Sequence, residues 1–236
     1  MIKIENVVTP SPEQWKTLIL GARNAMNSWE RSDSGWEPQF DTAQGPVAGE
    51  FVIGPNDHDL IMRLRNAGTD HRKFMRMIVV YATITAPLYW WKEFDTYRVG
   101  VEKNSCSTMH KIHAKEFTLE DFSTEHLMEW SDYEDEVKDL KPDRMCNFKF
   151  YMLDTISALN NARELYLLTN DKKYWWQMIQ LLPSSYNQKR TVMLNSEALA
   201  NMYKSRKNHK LDEWRDFCKW VEMLPYSELI TGKENI

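Results

Sequence analysis

Residues 76–91, RMIVVYATITAPLYWW, constrain the fold of this chain more than any other stretch. After Arg76 the first ten are β-branched, aromatic or otherwise apolar and include no glycine or proline, which predicts a mostly buried strand over 76–85. Proline offers no N–H to a sheet ladder but suits the first turn of a helix. Ala86-Pro87 should therefore close the strand and open a helix over 88–95, with Tyr89 and Trp90 packing on the sheet. Beyond that corner the character inverts: Arg98, Glu102, Lys103, Asn104, Ser105, Cys106, Ser107 and Thr108 crowd hydrogen-bonding groups into a short span, the make-up of a ligand loop on a rigid scaffold.

The flanks supply helices with legible ends. A first strand over 2–8 stops at Thr9-Pro10. Ser11, Pro12 and Gln14 then form a capping box, and Trp15, Leu18, Ala22, Met26 and Trp29 recur at helical spacing as a core stripe. Residues 32–56 are rich in Gly, Pro, Ser and Asp and read as a long loop or irregular hairpin insertion. Asn56 is placed to cap a helix to about residue 66, with Leu60, Ile61 and Leu64 inward and Gly68 as its stop. Residues 114–142 are acidic with few apolar anchors, an expected surface connection with one short helix from Thr118. A helix over 143–168 carries Phe148, Tyr151, Met152, Thr155, Leu159, Ala162, Leu165 and Leu168 on one face; another over 171–182 ends at Pro183. A strand over 189–194 leads to Asn195 as cap of a helix carrying Leu199, Met202 and Tyr203. A last amphipathic helix over 211–224 carries Trp214, Phe217, Cys218 and Val221.

Composition narrows the partners. The chain of 236 residues, with 30 basic against 34 acidic side chains and a net charge of −4, has no basic field for neutralising phosphate backbones, so nucleic acid is not expected. Its longest apolar stretch, 77–91, is broken by threonines and falls short of the roughly 20 residues a bilayer span needs, so no membrane is expected either. Cys106, Cys146 and Cys218 are odd in number and far apart, and no charged-apolar leader opens the sequence, which points to the cytoplasm. Cys106, His110 and His113 lack a fourth ligand and close Cys spacing, so no metal is expected. Cys106 is either a thiolate nucleophile activated by Arg98 or Lys103, or a small buried thiol.

The central segment resembles the signature of the flavin-dependent thymidylate synthases (the ThyX family), in which Ala-Pro after a strand leads to R-Q and then R-H-R-x-x-S-x-N-x-x-S-x-R. Counted from Pro87, Lys92 and Glu93 stand on R-Q, and Thr96, Tyr97 and Arg98 on R-H-R, with only Arg98 kept. In that register Val101, Lys103, Cys106 and Thr108 replace Ser, Asn, Ser and Arg; a one-residue insertion after Arg98 instead restores Asn104 and Ser107. Upstream, the family's G-H-x-S-P-F-E-H places its first histidine on His71. Downstream, Leu-Pro, a strand and N-x-R-x-x-x-N-x-x-x-x-R correspond to Leu182-Pro183, Asn195, Glu197, Asn201 and Arg206, three of these last four matching, and Ile179 stands where an arginine grips the nucleotide phosphate.

The resemblance implies an α+β, ThyX-like fold: a central antiparallel or mixed sheet flanked by helices, in one domain over 1–236 that assembles as a homotetramer. It implies FAD as cofactor, held by Arg98, Asn195 and Asn201 with His71 beside it. A pyrimidine deoxynucleotide such as dUMP would be faced by Glu93, Cys106 and Arg206, with Glu93 and Cys106 at the chemistry. NADPH and methylenetetrahydrofolate are the implied co-substrates of a methyltransferase of nucleotide biosynthesis. Glu197 reverses one charge of the cofactor site, and Thr108 and Ile179 remove two phosphate-gripping arginines. A ThyX-fold nucleotide-binding or interaction protein without flavin chemistry is the other reading. An ionised Glu93 only accepts hydrogen bonds, which suits the amino group of cytosine better than a uracil carbonyl.

Overall fold

The structure is a computed structural model that describes residues 2–41, 45–138 and 146–232. Its α+β architecture has a four-stranded sheet in the order β1 (Lys3–Val8), β4 (Val79–Pro87), β6 (Asn187–Asn195), β5 (Val101–Ser105), and a two-stranded hairpin of β2 (Gly35–Asp41) and β3 (Gly45–Val52). Ser196 donates to the Ile78 carbonyl and Leu88 to that of Tyr186, which makes β4 and β6 antiparallel; Asn195 to Gly100 and Cys106 to Lys189 do the same for β5 and β6. Two compact units result. The first is chiefly Thr85–Phe94 and Ser105–Arg190; the second is Ile4–Ile84, Asp95–Asn104 and Thr191–Ile236.

In the first unit the turn after Pro87 becomes α3 (Leu88–Phe94), and its Trp90, Trp91 and Phe94 are fully buried. Their rings meet edge-on or tilted with centroids 4.8–5.1 Å apart, the separations aromatic quadrupoles favour. A second cluster joins α5 (Phe148–Thr169) and α6 (Lys172–Leu181) through Met152, Ile156, Leu159 and Met178. The buried stripe of α5 therefore runs 152, 156, 159, 162, whereas Phe148, Tyr151, Leu165 and Leu168 lie exposed. The helix carries two apolar faces, and periodicity alone could not say which one packs. Asp143 lies outside the described residues; Asn147 caps the helix, its side chain accepting from Lys149 and Phe150. Phe117, Phe122 and Tyr133 are buried, so the expected surface connection is anchored after all, around a 3-10 turn begun by the Thr118–Asp121 capping box. The short α4 (Thr108–Lys111) completes this unit's helices.

In the second unit α1 (Pro12–Arg23) starts as its capping box dictates, with Gln14 N–H on Ser11 Oγ and Ser11 N–H on Gln14 Oε1. Trp15, Leu18 and Ala22 are buried, but Met26 and Trp29 are exposed because the helix stops at Arg23. Arg23 turns inward to Asp57, which also accepts from Ser32, Ser34 and the Asp33 and Ser34 amides. The helix α2 (Pro55–Asn66) is capped at Gly54, not Asn56: Pro55 occupies its first turn, and the Asp33 carboxylate accepts from the Asn56 and Asp57 amides at 2.9 and 3.0 Å. A Cβ at Gly54 would lie 2.4 Å from Asp33, so this close approach needs glycine. The strand β4 begins at Val79 because 72–76 coil as a 3-10 turn. The helices α7 (Ser196–Arg206), α8 (Asp212–Glu222) and the unforeseen α9 (Glu228–Thr231) close the unit. Trp214, Phe217, Cys218 and Val221 of α8 are buried as their spacing predicts.

Candidate functional site

Five of the seven candidate residues belong to the second unit and gather at α7 and the segments docked on it. Asn195 ends β6 and caps α7: its Oδ1 accepts from the Ala198 amide at 2.9 Å, and its own N–H donates to the Gly100 carbonyl at 2.9 Å. Gly100 has φ of 72°, and a Cβ there would fall 2.1 Å from the Asn195 amide, so only glycine fits this contact. At the other end of α7, Arg206 Nε donates to Tyr97 Oη at 3.0 Å, and its guanidinium lies 4.9 Å from the Trp214 ring centroid. Residues 97–100 are thereby pinned by Asn195 and Arg206, and Arg98, carried between the pins, is exposed. The ligand loop expected here is partly a strand, β5.

The charge reversal at 197 is answered locally. Glu197 is buried and holds Arg72 at 3.0 Å and Arg76 at 2.5 Å. Burial, the largest influence, pushes its carboxyl up, but the hydrogen bonds and charges of Arg76 and Arg72 outweigh it and hold it below the usual range. His71 is exposed and heads the 3-10 turn that carries both arginines.

Beside α7 lies a cavity of about 330 Å³ whose lining includes Asn201, Arg65, Arg72, Lys204 and Lys207. The sequence reading missed Arg65, Lys204 and Lys207. The spacing of Ala200, Lys204 and Lys207 puts them on one helical face, a signal that was available, but Arg65 comes from α2 and only the fold adds it.

The remaining two candidates, Glu93 and Cys106, belong to the first unit. Glu93 is half-buried on α3, the helix fixed by its tryptophans. Cys106 is exposed, which removes the buried-thiol reading. Its carbonyl accepts from buried Gln188 at 2.9 Å, Gln188 accepts from Arg190 at 2.9 Å, and Arg190 lies over Trp91 with 4.3 Å to the ring centroid. A cavity of about 260 Å³ is lined by Cys106, Ser107, Lys115, Asp121 and Tyr186 among others, but not by Glu93. The Tyr186 phenol is pushed up by burial and then by Asp121 and Cys106. The thiol of Cys218, pushed up to about 11 by burial and Glu222, is unreactive at neutral pH. Among the described residues no group of three or more His, Cys, Asp or Glu side chains is placed to hold a metal, and no helix is long and apolar enough to cross a membrane.

No protein-family model matches the sequence, and no curated protein matches it. The fold is that of the flavin-dependent thymidylate synthases. The chain is similar to thymidylate synthase X (ThyX) from Helicobacter pylori, solved with FAD and dUMP, at 18% identity, 98% coverage of each chain and a TM-score of 0.62. A second structure of that enzyme, also complexed with FAD and dUMP, gives 18%, 98% of each chain and 0.59. The UMP/dUMP methylase PolB from Streptomyces cacaoi, bound with 5-Br dUMP, gives 14% identity, 98% of this chain, 94% of that one and 0.56. In the family patterns read from the sequence, position 76 falls on a glutamate and position 197 on an arginine. Here position 76 carries the base and position 197 the acid, and the two pair at 2.5 Å.

Proposed function

We propose that this protein binds FAD and a pyrimidine nucleotide and carries out a ThyX-type reductive one-carbon transfer. The observation that carries this reading is the full-length fold correspondence with a structure holding FAD and dUMP. The donor set fits such a cofactor: Arg98 presents an exposed guanidinium, and Asn201 faces a cavity rich in cations. Arg98 and Asn201 would hold the cofactor, with His71 beside it. Asn195 would act through its backbone contact and cap, since its side-chain oxygen already serves Ala198. Arg206, fixed by Tyr97 and Trp214, would reach the nucleotide, as would Glu93 and Cys106. Bound FAD, reduced by NADPH, would supply the hydride that turns the methylene carbon given up by methylenetetrahydrofolate into a methyl group. Assembly as a homotetramer in the cytoplasm belongs to the same reading.

The test is titration of the purified protein with FAD; bound, coloured flavin is expected, and its absence would overturn the reading. A second reading, a ThyX-fold nucleotide-binding or interaction protein without flavin chemistry, draws support from the commitment of Asn195 to capping and of Glu197 to two arginines. For the nucleotide, the acceptor-only chemistry of Glu93 favours a cytidine over a uridine ligand. Calorimetry with dCMP and dUMP should show dCMP binding more tightly, with Glu93→Gln shifting the preference toward dUMP. Equal affinities in all four titrations would remove the idea.

A further inference from the structure

The cavity beside α7 has a composition the family resemblance does not account for. Four cations, Arg65, Arg72, Lys204 and Lys207, line it together with Asn201 and Thr231, and no carboxylate does, in a chain whose net charge is −4. Two of the cations are fixed by hydrogen bonds to the protein. Arg65 donates to the Leu229 and Ile230 carbonyls at 3.0 and 3.2 Å, which fixes its guanidinium at the end of α9. Arg72 is held by Glu197. These contacts position the two guanidiniums without neutralising Arg65. Lys204 and Lys207 make no ion pair with any described residue, and both are exposed. Burial and then the charge of Arg72 lower the Arg65 guanidinium, which places these two like charges within reach of each other.

We propose that this cavity binds the phosphate groups of a nucleotide ligand: Arg65 and Arg72 offer planar, pre-set donors, Lys204 and Lys207 offer exposed ammonium groups, and Asn201 and Thr231 offer neutral hydrogen bonds. At about 330 Å³ the space suits a phosphate-bearing portion of a ligand rather than a whole dinucleotide. The phosphates come from one of two sources, the diphosphate of FAD or the phosphate of a mononucleotide. The first rests on the proposed function; the second does not.

The experiment is calorimetric titration of the full chain and its Lys204→Gln/Lys207→Gln variant with inorganic pyrophosphate, FAD, riboflavin and dUMP. Pyrophosphate should bind the wild type, and the variant should bind it about 10-fold more weakly or worse. If FAD is the source, the variant loses FAD affinity by a similar factor while riboflavin, which lacks phosphate, is unaffected. If a mononucleotide is the source, dUMP affinity falls instead. Failure of pyrophosphate to bind the wild type, or equal binding to both proteins, overturns the proposal. Pyrophosphate binding without any flavin binding leaves this site standing and removes the flavin reading. Matching circular dichroism of the two proteins shows that the exposed lysines were changed without unfolding, and Lys207→Gln alone provides a second, milder variant.

Discussion

Two buried carboxylates, Asp57 and Glu197, tie distant segments together through arginines. Asp57 is pushed up by burial, yet hydrogen bonds from Ser34, Ser32 and Arg23 bring it below the ordinary carboxylate range, as Arg76 and Arg72 do for Glu197. A carboxyl lowered in the folded state stabilises the fold above its unfolded pKa, and that stability is lost as pH falls through the folded value. The melting temperature should therefore stay level from neutral pH to about 5 and fall below about pH 4. Asp57→Asn should flatten that fall and, by leaving Arg23 buried and unpaired, should cost about 3 kcal/mol at pH 7 in a denaturant titration. An unchanged acid limb would show that these pairs do not govern it. Glu197→Arg, which on sequence alone restores a family cation, would here set three guanidiniums together. It should destabilise the protein rather than simply improve a cofactor site.

Among the elements, α7 shows what a sequence can and cannot disclose. Its cap, Asn195, and its buried Leu199, Met202 and Tyr203 were legible because a capping residue and a 3.6-residue stripe are local signals. The same holds for the Ser11 capping box and the stripe of α8. What could not be read was set by tertiary contacts: the end of α1 at Arg23, the choice between two apolar faces of α5, and the cap that Asp33 lends to α2. The candidate site divides the same way. Arg98, Asn195, Asn201 and Arg206 were reached through motif spacing, whereas the partners that define their surroundings, Tyr97, Gly100, Arg65 and Arg72, lie in other segments of the sequence. The role of Asn195 can be separated from ligand binding. Asn195→Ala should cost about 1 kcal/mol in stability, and Asn195→Ser should return most of it without changing flavin affinity. Loss of flavin affinity in Asn195→Ser at full stability would instead make its amide a cofactor contact.

At the scale of the molecule, the proposed homotetramer would need exposed apolar side chains to cover. Trp90 and Trp91 are fully buried and so are not available to an interface, whereas Trp176 is exposed. In the first unit the exposed apolar side chains include Phe150, Tyr151 and Leu168 on α5 and Trp176 on α6. Covering such side chains is the usual reason for obligate assembly. Light scattering at micromolar concentration should give a tetramer, and Tyr151→Glu with Leu168→Glu should dissociate it; a monomeric wild type would remove the tetramer from the proposed reading.

The central claim, that this fold still binds a flavin through the segment docked on α7, is tested most directly by titrating wild type and Arg98→Ala with FAD. Arg98 is exposed, so the variant should keep the wild-type melting temperature, yet lose about 1.5–3 kcal/mol of FAD binding, roughly a 10- to 100-fold weaker Kd. A folded wild-type protein that binds no FAD, or one that binds it as tightly with Arg98→Ala as without, would contradict the account.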